Sequence, residues 1–143
     1  MEGFFKVFSY WRLLLDGFLI TLELSIIVIA TSTALGLIAG IAISSKNGIL
    51  RNAVRVYVEI FRGSPLLMQL FMGYFGLAYL GINISLFTAT VVVFTLYGGA
   101  YIAEIVRSGI QSVPKGQWEA AGCIGLQKVI IVSKIVTLFS QHG

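Results

Sequence analysis

The sequence predicts an all-α, polytopic membrane protein in which three transmembrane helices are followed by a short cytoplasmic helix. Its 143 residues are 57% hydrophobic and only 11% charged, and the mean hydropathy is +0.93. Soluble domains carry about 25% charged residues. Two long segments, residues 24–45 and residues 63–103, have no charged side chain. Apolar runs of this length indicate burial in lipid.

The first predicted span covers residues 16–45. Its charge-free part, residues 24–45, contains 22 residues and would extend about 33 Å as an α-helix, close to the hydrocarbon thickness of a bilayer. Gly36 and Gly40 form a Gly-x-x-x-Gly step, which is consistent with close helix packing. A secretory signal peptide is disfavoured, because Glu2 interrupts the basic n-region and the apolar stretch is too long.

The second charge-free segment, residues 63–103, is long enough for two spans. Its 41 residues would extend about 61 Å as a helix, twice the hydrocarbon thickness. A turn is predicted near Gly81 and Asn83, since glycine frees the backbone and asparagine supplies a local hydrogen-bonding side chain. The second span is therefore placed at residues 52–80 and the third at residues 85–106.

An amphipathic helix is predicted at the entrance to the second span. Its apolar positions are Leu50, Val54, Tyr57 and Phe61, and arginines occupy positions turned largely away from them, at Arg51, Arg55 and Arg62. Proline lacks a backbone N–H and clashes with the preceding turn. We therefore expect Gly63-Ser64-Pro65 to kink or break this helix.

The distribution of positive charge predicts the orientation. Lys46, Arg51, Arg55 and Arg62 follow the first span, and Arg107, Lys115, Lys128 and Lys134 follow the third. The turn after the second span has neither lysine nor arginine. Loops rich in these residues stay in the cytoplasm. The N-terminus is therefore predicted outside, and the segment after the third span inside.

A polar segment rich in small residues, residues 112–126, follows the third span. Pro114 suits the first turn of a helix and Gly125 suits its end, so a short helix is predicted between them. Trp118 and Ala121 fall on one face, where a large anchor beside small residues permits close approach of a partner. A solvated loop between helices would explain the same composition.

Three motifs occur in order along the chain. They are the run Arg62-Gly63-Ser64-Pro65-Leu66-Leu67, the run Tyr101-Ile102-Ala103-Glu104 with Arg107 and Gly109 after it, and Glu119-Ala120-Ala121 followed after three positions by Gly125. Together they resemble the polar amino acid uptake family of ABC transporter permeases, in which the third motif is the EAA loop. The resemblance extends over residues 16–128.

This resemblance implies a MetI-like permease fold with five spans in the bacterial inner membrane. Such a subunit pairs with an identical or related permease, receives an amino acid from an external solute-binding protein, and binds ABC ATP-binding subunits that carry out the hydrolysis. The chain itself would then be no enzyme. The ATPase-coupling residues that the resemblance implies are Pro114, Gly116, Trp118, Glu119, Ala120, Ala121 and Gly125.

The family pattern is lost near the end of the chain. Thr137 and Leu138 stand where the family has Leu-Pro, and residues 129–143 form an atypical tail, so spans four and five are expected to be missing. A C-terminally truncated permease is predicted. A nonfunctional remnant, and a small membrane scaffold or permeabilising protein, remain as alternatives.

Four polar side chains within the predicted spans are candidates to line a translocation path: Gln69, Tyr97, Tyr101 and Glu104. Polar groups within a bilayer usually face protein or water. For Glu104 an ion pair with Arg107, one turn further along, is the favoured interpretation. Interfacial aromatics and interhelical hydrogen bonds would explain the other three equally well.

Several other function classes are excluded by composition. The net charge of +4 is scattered, with no basic stripe of the kind that binds nucleic acid. A single cysteine and a single histidine provide neither a disulfide nor a metal site. No nucleophile with a base and no phosphate-binding glycine-rich loop is found. The sequence therefore predicts no catalytic residue and no cofactor, with the lipid bilayer as surroundings.

Overall fold

The computed structural model describes residues 10–114, all of whose regular elements are helices. Helix α1 spans Trp11–Ile43, α2 spans Gly48–Gly63 and α3 spans Leu66–Phe71. A π-helical turn at Met72–Gly76 joins α3 to α4 at Leu77–Tyr79, and α5 spans Leu86–Gln111. The predicted all-α class is confirmed for this part of the chain.

Within residues 10–114, helices α1 and α5 are long and apolar enough to cross a membrane. They contain 33 and 26 residues, and most of the surface of their most apolar windows is not buried within the chain. Large side chains such as Ile38 and Ile105 remain exposed. A helix of a soluble protein turns such residues into the core. The exposure therefore fits helices that face lipid or other membrane helices.

Helices α1 and α5 pack side by side and run in the same direction. A Cβ atom added at Gly36 would lie 2.4 Å from Ile102 Cβ, and one added at Gly40 would lie 2.5 Å from Val106 Cβ. A step of four residues on α1 thus matches a step of four on α5. Only glycine permits so close an approach, so the packing expected of the Gly36/Gly40 step is confirmed.

Helix α2 packs against the C-terminal end of α1 and the second half of α5. Asn47 caps it, with Oδ1 accepting the backbone N–H of Ile49 at 3.1 Å. Val58 is buried in a cluster with Ile43 of α1 and Ala100 of α5. Helix α2 therefore joins both long helices at one end of the molecule.

The residues predicted as the second span, 52–80, form two helical segments. Helix α2 ends at Gly63, and Pro65 precedes the first turn of α3, so the predicted break is confirmed. Segment Leu66–Tyr79 is apolar and extends about 21 Å, shorter than the hydrocarbon core of about 30 Å.

The turn before α5 has the predicted glycine in a conformation that glycine favours. Gly81 has a φ of +81°, which side-chain-bearing residues rarely adopt. Ser85 caps α5 by accepting the backbone N–H of Thr88 at 3.1 Å. The helix then continues to Gln111, five residues beyond the end predicted for the third span.

Replacing Gly36 by Leu should separate α1 from α5, because the added side chain has no space beside Ile102 and overpacking costs about 1–3 kcal/mol. The matched control is Gly17→Leu on the same helix, where an added Cβ meets nothing within 4 Å. Disulfide formation between Thr31→Cys and Thr95→Cys, in a Cys123→Ser background, measures the contact, since the two hydroxyls lie 2.7 Å apart. Equal cross-linking in the two glycine variants would contradict the tight packing.

Candidate functional site

Charged side chains from two helices meet around Glu104 near the end of α5. Arg107 donates Nε to Oε2 at 2.8 Å and Nη2 to Oε1 at 2.6 Å. Arg62, in the last turn of α2, places Nη1 3.6 Å from the same Oε1. The ion pair with Arg107 that the spacing predicts is therefore present. The second arginine adds a link between α2 and α5.

Arg62 is held in place by an aromatic ring as well as by charge. Its guanidinium carbon lies 5.4 Å from the ring centroid of Tyr101, within the range of a cation–π contact. The side chain also lies at the C-terminal end of α2, where the helix dipole favours a positive charge. Arg62 thus contacts both Tyr101 and Glu104 of α5.

Arg62, Glu104 and Arg107 line a polar cleft with a volume of about 330 Å³, here called the arginine cleft. Its lining consists of two apolar residues and five charged ones: Ile43, Val58, Arg55, Glu59, Arg62, Glu104 and Arg107. Guanidinium groups favour carboxylates and phosphates. Groups of three or more metal-ligating side chains do not occur among residues 10–114. The guanidinium groups that line the cleft suit an anion or an ion pair.

Gln69 lies at the break between α2 and α3. Its Nε2 is 2.8 Å from the carbonyl oxygen of Phe61, and 3.1 Å and 2.7 Å from the carbonyl and hydroxyl oxygens of Ser64. Its Oε1 is buried without a hydrogen-bond partner among the described residues. The amide therefore satisfies carbonyls that the end of α2 leaves free. It fastens α3 beside the Arg62-Gly63-Ser64-Pro65 motif.

Gln69 also borders an apolar cavity of about 540 Å³ between the end of α2, segment Leu66–Tyr79 and α5. The π-helical turn contributes Met72, Gly73 and Gly76 to its wall, and a Cβ at Gly73 would lie 2.8 Å from Val93 Cγ2. Apart from Ser64 and Gln69, the lining side chains are apolar or absent. This cavity differs in character from the arginine cleft.

Three of the four predicted path candidates form a strip along α5. Tyr97 and Tyr101 have hydroxyl oxygens 3.1 Å apart and ring centroids 4.8 Å apart, and Glu104 follows at the next turn. Gln69 lies on a different helix. That these residues line a path stays a prediction.

The predicted coupling segment lies almost entirely outside the described residues. Pro114 is exposed and follows the end of α5 by three positions. Gly116, Trp118, Glu119, Ala120, Ala121 and Gly125 lie outside residues 10–114. Glu104 and Arg107 thus lie seven and four residues before Gln111, the last residue of the helix that leads into this segment.

A family model described as "Binding-protein-dependent transport system inner membrane component" matches residues 32–137. The chain belongs to this family. The match confirms the resemblance to ABC permeases drawn from the three motifs, and it agrees with the prediction of a non-catalytic membrane component. The family description also agrees with an inner-membrane location.

Two curated relatives of this permease family are similar over most of the chain. The putative glutamine transport system permease protein GlnP of Rickettsia conorii is 40% identical over 136 residues, which are 94% of this chain and 62% of the relative. The probable amino-acid ABC transporter permease protein YckA of Bacillus subtilis is 46% identical over 106 residues, which are 74% of this chain and 47% of the relative. The chain spans less than two thirds of the length of both relatives.

A solved structure has the same helical arrangement. It is described as a crystal structure of an amino acid ABC transporter with histidines, and it matches with a TM-score of 0.79 and 35% identity over 89% of this chain and 59% of that chain. The permease fold is thereby confirmed for the part of the family that this chain covers.

Two contacts of this permease were not predicted from the sequence. The Tyr57 hydroxyl donates to the carbonyl oxygen of Leu96 at 2.6 Å, although Tyr57 was placed only on the apolar face of its helix. Arg62 reaches Glu104 from 42 positions earlier in the chain. The one available indication was the presence of arginines on a helix that precedes a glutamate in a long apolar helix.

Substitution of Arg107 should destabilise the permease more than substitution of Arg62, because Arg107 makes the closer contacts with Glu104. Arg107→Gln removes two short hydrogen bonds, whereas Arg62→Gln removes a longer contact. In double-mutant cycles with Glu104→Gln, we expect a coupling of about 0.5–1 kcal/mol for Arg107 and a smaller one for Arg62. Thermal unfolding in detergent measures both, with Glu23→Gln as the carboxylate control. A larger coupling for Arg62 would show that the Arg107 pair is not the dominant one.

Proposed function

We propose that the chain is the membrane-spanning permease subunit of an ATP-driven amino acid importer. The observation that carries this is the similarity along 94% of the chain to a putative glutamine permease, supported by the match to an amino acid ABC transporter structure. Another relative is named an L-cystine transport system permease protein, TcyB of Bacillus subtilis. Because the named substrates differ, the proposal extends to the class of amino acids and not to one of them.

Three membrane crossings fit the arrangement of the helices. Helices α1 and α5 are parallel, so residues 44–85 must return from the end of α1 to the start of α5. Segment Leu66–Tyr79 is the apolar helix available for that return. A helix of about 21 Å can be accommodated by local thinning of the bilayer or by burial among other helices. With positive loops inside, the N-terminus is outside and residues 112–126 are cytoplasmic.

Coupling to the ATP-binding subunit is assigned to residues 112–126, which contain the EAA motif. Helix α5 leads directly into this segment, and its last turns are joined to α2 through Glu104 and Arg62. A displacement of the docked segment would therefore act on two helices at once. A second permease subunit and an external solute-binding protein complete the proposed assembly. The strip formed by Tyr97, Tyr101 and Glu104, together with Gln69, is proposed to line the path.

Substitutions in the EAA motif should release the ATP-binding subunit. Glu119→Lys reverses a charge and Gly125→Trp places a large side chain in the proposed contact, so we expect each to reduce co-purification of the ATP-binding subunit from membranes about tenfold. Gln127→Ala, two residues beyond the motif, is the control and should retain association. Unchanged association in both motif variants, at equal membrane insertion, would favour a scaffold with an accidental motif.

The orientation predicts which turns a membrane-impermeant maleimide can reach. In a Cys123→Ser background, Asn83→Cys should be labelled in intact spheroplasts, because the turn after the second crossing is outside. Lys46→Cys should be labelled only after permeabilisation. The opposite pattern would reverse the orientation. Labelling of both from the same side would show that residues 44–85 do not cross the membrane.

A further inference from the structure

The arginine cleft carries more positive charge than its own carboxylates can balance. Arg55, Arg62 and Arg107 line it together with two carboxylates, those of Glu59 and Glu104. Arg107 holds Glu104 through two short hydrogen bonds, and Arg62 lies 3.6 Å from the same carboxylate. Whichever way the two carboxylates are shared, one of the three guanidinium groups is left without a carboxylate of its own.

Arg55 is the arginine of the cleft that forms no ion pair within residues 10–114, where the ion pairs join Glu104 to Arg62 and to Arg107. Its side chain is exposed on α2. A guanidinium group can donate two parallel N–H bonds to one carboxylate. The cleft, with its volume of about 330 Å³, has space for a further carboxylate side chain beside Arg55.

Glu119 is the carboxylate that the chain itself can supply to the cleft. It is the one acidic residue among residues 105–143. Helix α5 passes the cleft at Arg107 and ends at Gln111, about 6 Å further along its axis. Glu119 lies five positions after Pro114, the last described residue, and five residues span up to about 18 Å. The cleft is therefore within reach of Glu119.

We propose that Glu119 binds Arg55 in the arginine cleft when no ATP-binding subunit is bound. The inference rests on the proposed function, in which residues 112–126 dock on that subunit. The pair holds the docking segment against α2. Because one carboxylate cannot occupy the cleft and contact another subunit at once, docking requires the pair to open. The apparent affinity for the ATP-binding subunit then falls in proportion to the fraction of permease chains in which the pair is open.

A carboxylate of the ATP-binding subunit is the other candidate to occupy the cleft. Glu119 has the advantage of belonging to the same chain, because a short tether gives an effective concentration on the order of millimolar. The two occupants also predict effects of opposite sign. A pair between Arg55 and Glu119 opposes docking, whereas a contact between Arg55 and the ATP-binding subunit would favour it.

The first test is carbodiimide cross-linking of the full chain in membranes that lack the ATP-binding subunit. A carbodiimide condenses a carboxylate with an amine at short range, so Arg55→Lys supplies a reporter that keeps the positive charge. Peptide mapping by mass spectrometry should find a linkage between positions 55 and 119, and adding Glu119→Gln should abolish it. Arg51→Lys is the matched control, because Arg51 is exposed on the same helix and does not line the cleft. Its linkage to position 119 should be weak.

The second test is the affinity of the purified ATP-binding subunit for the permease in detergent. Arg55→Gln should lower the Kd about fivefold, which corresponds to losing an opposing ion pair of about 1 kcal/mol. Arg51→Gln should match the wild type. Glu119→Lys is expected to weaken the same association, so substitutions of the two paired residues should act in opposite directions. Loss of a purely structural contact would not produce opposite changes.

Four results would overturn the proposal. Absence of the linkage in Arg55→Lys would show that Glu119 does not enter the cleft, and equal yields in Arg51→Lys and Arg55→Lys would show that it does not select the cleft. Weaker docking in Arg55→Gln would assign the cleft to a carboxylate of the ATP-binding subunit. Unchanged docking in that variant would show that the pair does not oppose docking.

Failure of this inference and failure of the permease proposal give different results. The cross-linking needs no ATP-binding subunit, so a missing linkage overturns the pair and leaves the permease proposal to the EAA-motif experiment. Unchanged association in both EAA-motif variants would instead contradict the docking role, whether or not the linkage between positions 55 and 119 forms.

Discussion

The close contact between α1 and α5 is the constraint on which the other features depend. Lipid provides no hydrophobic force between membrane helices, so they associate through van der Waals contact that small residues make possible. Gly36 and Gly40 let the backbone of α1 approach the side chains of Ile102 and Val106. The resulting parallel pair brings the C-terminal ends of both helices to one side. The intervening chain must therefore return across the molecule, and α2 packs at the shared end.

Most of the charged side chains of residues 10–114 lie at that shared end. A carboxylate in a membrane helix is costly unless it is paired, and Glu104 is paired both within α5 and with α2. The same contacts orient Arg62 over Tyr101. Packing of small residues thus positions the two long helices, and one shared carboxylate links α2 to α5. The arginine cleft therefore depends on the same helix contacts that hold the fold together.

Much of the helical framework follows from local sequence. The charge-free runs predicted α1 and α5, Pro65 predicted the break after α2, and Gly81 predicted the turn before α5, because each depends on residues close in the chain. The π-helical turn and the contacts of Gln69 were not predicted. Gln69 bonds to carbonyls of a helix end five to eight residues earlier, and its amide group alone cannot distinguish that role from path lining.

The sequence by itself determined the all-α membrane class, the positions of the helix breaks and the family, since hydropathy and short motifs are local properties. Only the tertiary structure decided that α1 and α5 are parallel and that Arg62 shares Glu104 with Arg107. It also decided that Tyr57 bonds to the backbone at Leu96. These contacts join residues about 40 or more positions apart. Which residues form these contacts depends on which helix faces meet. The glycine contact between the two long helices determines those faces.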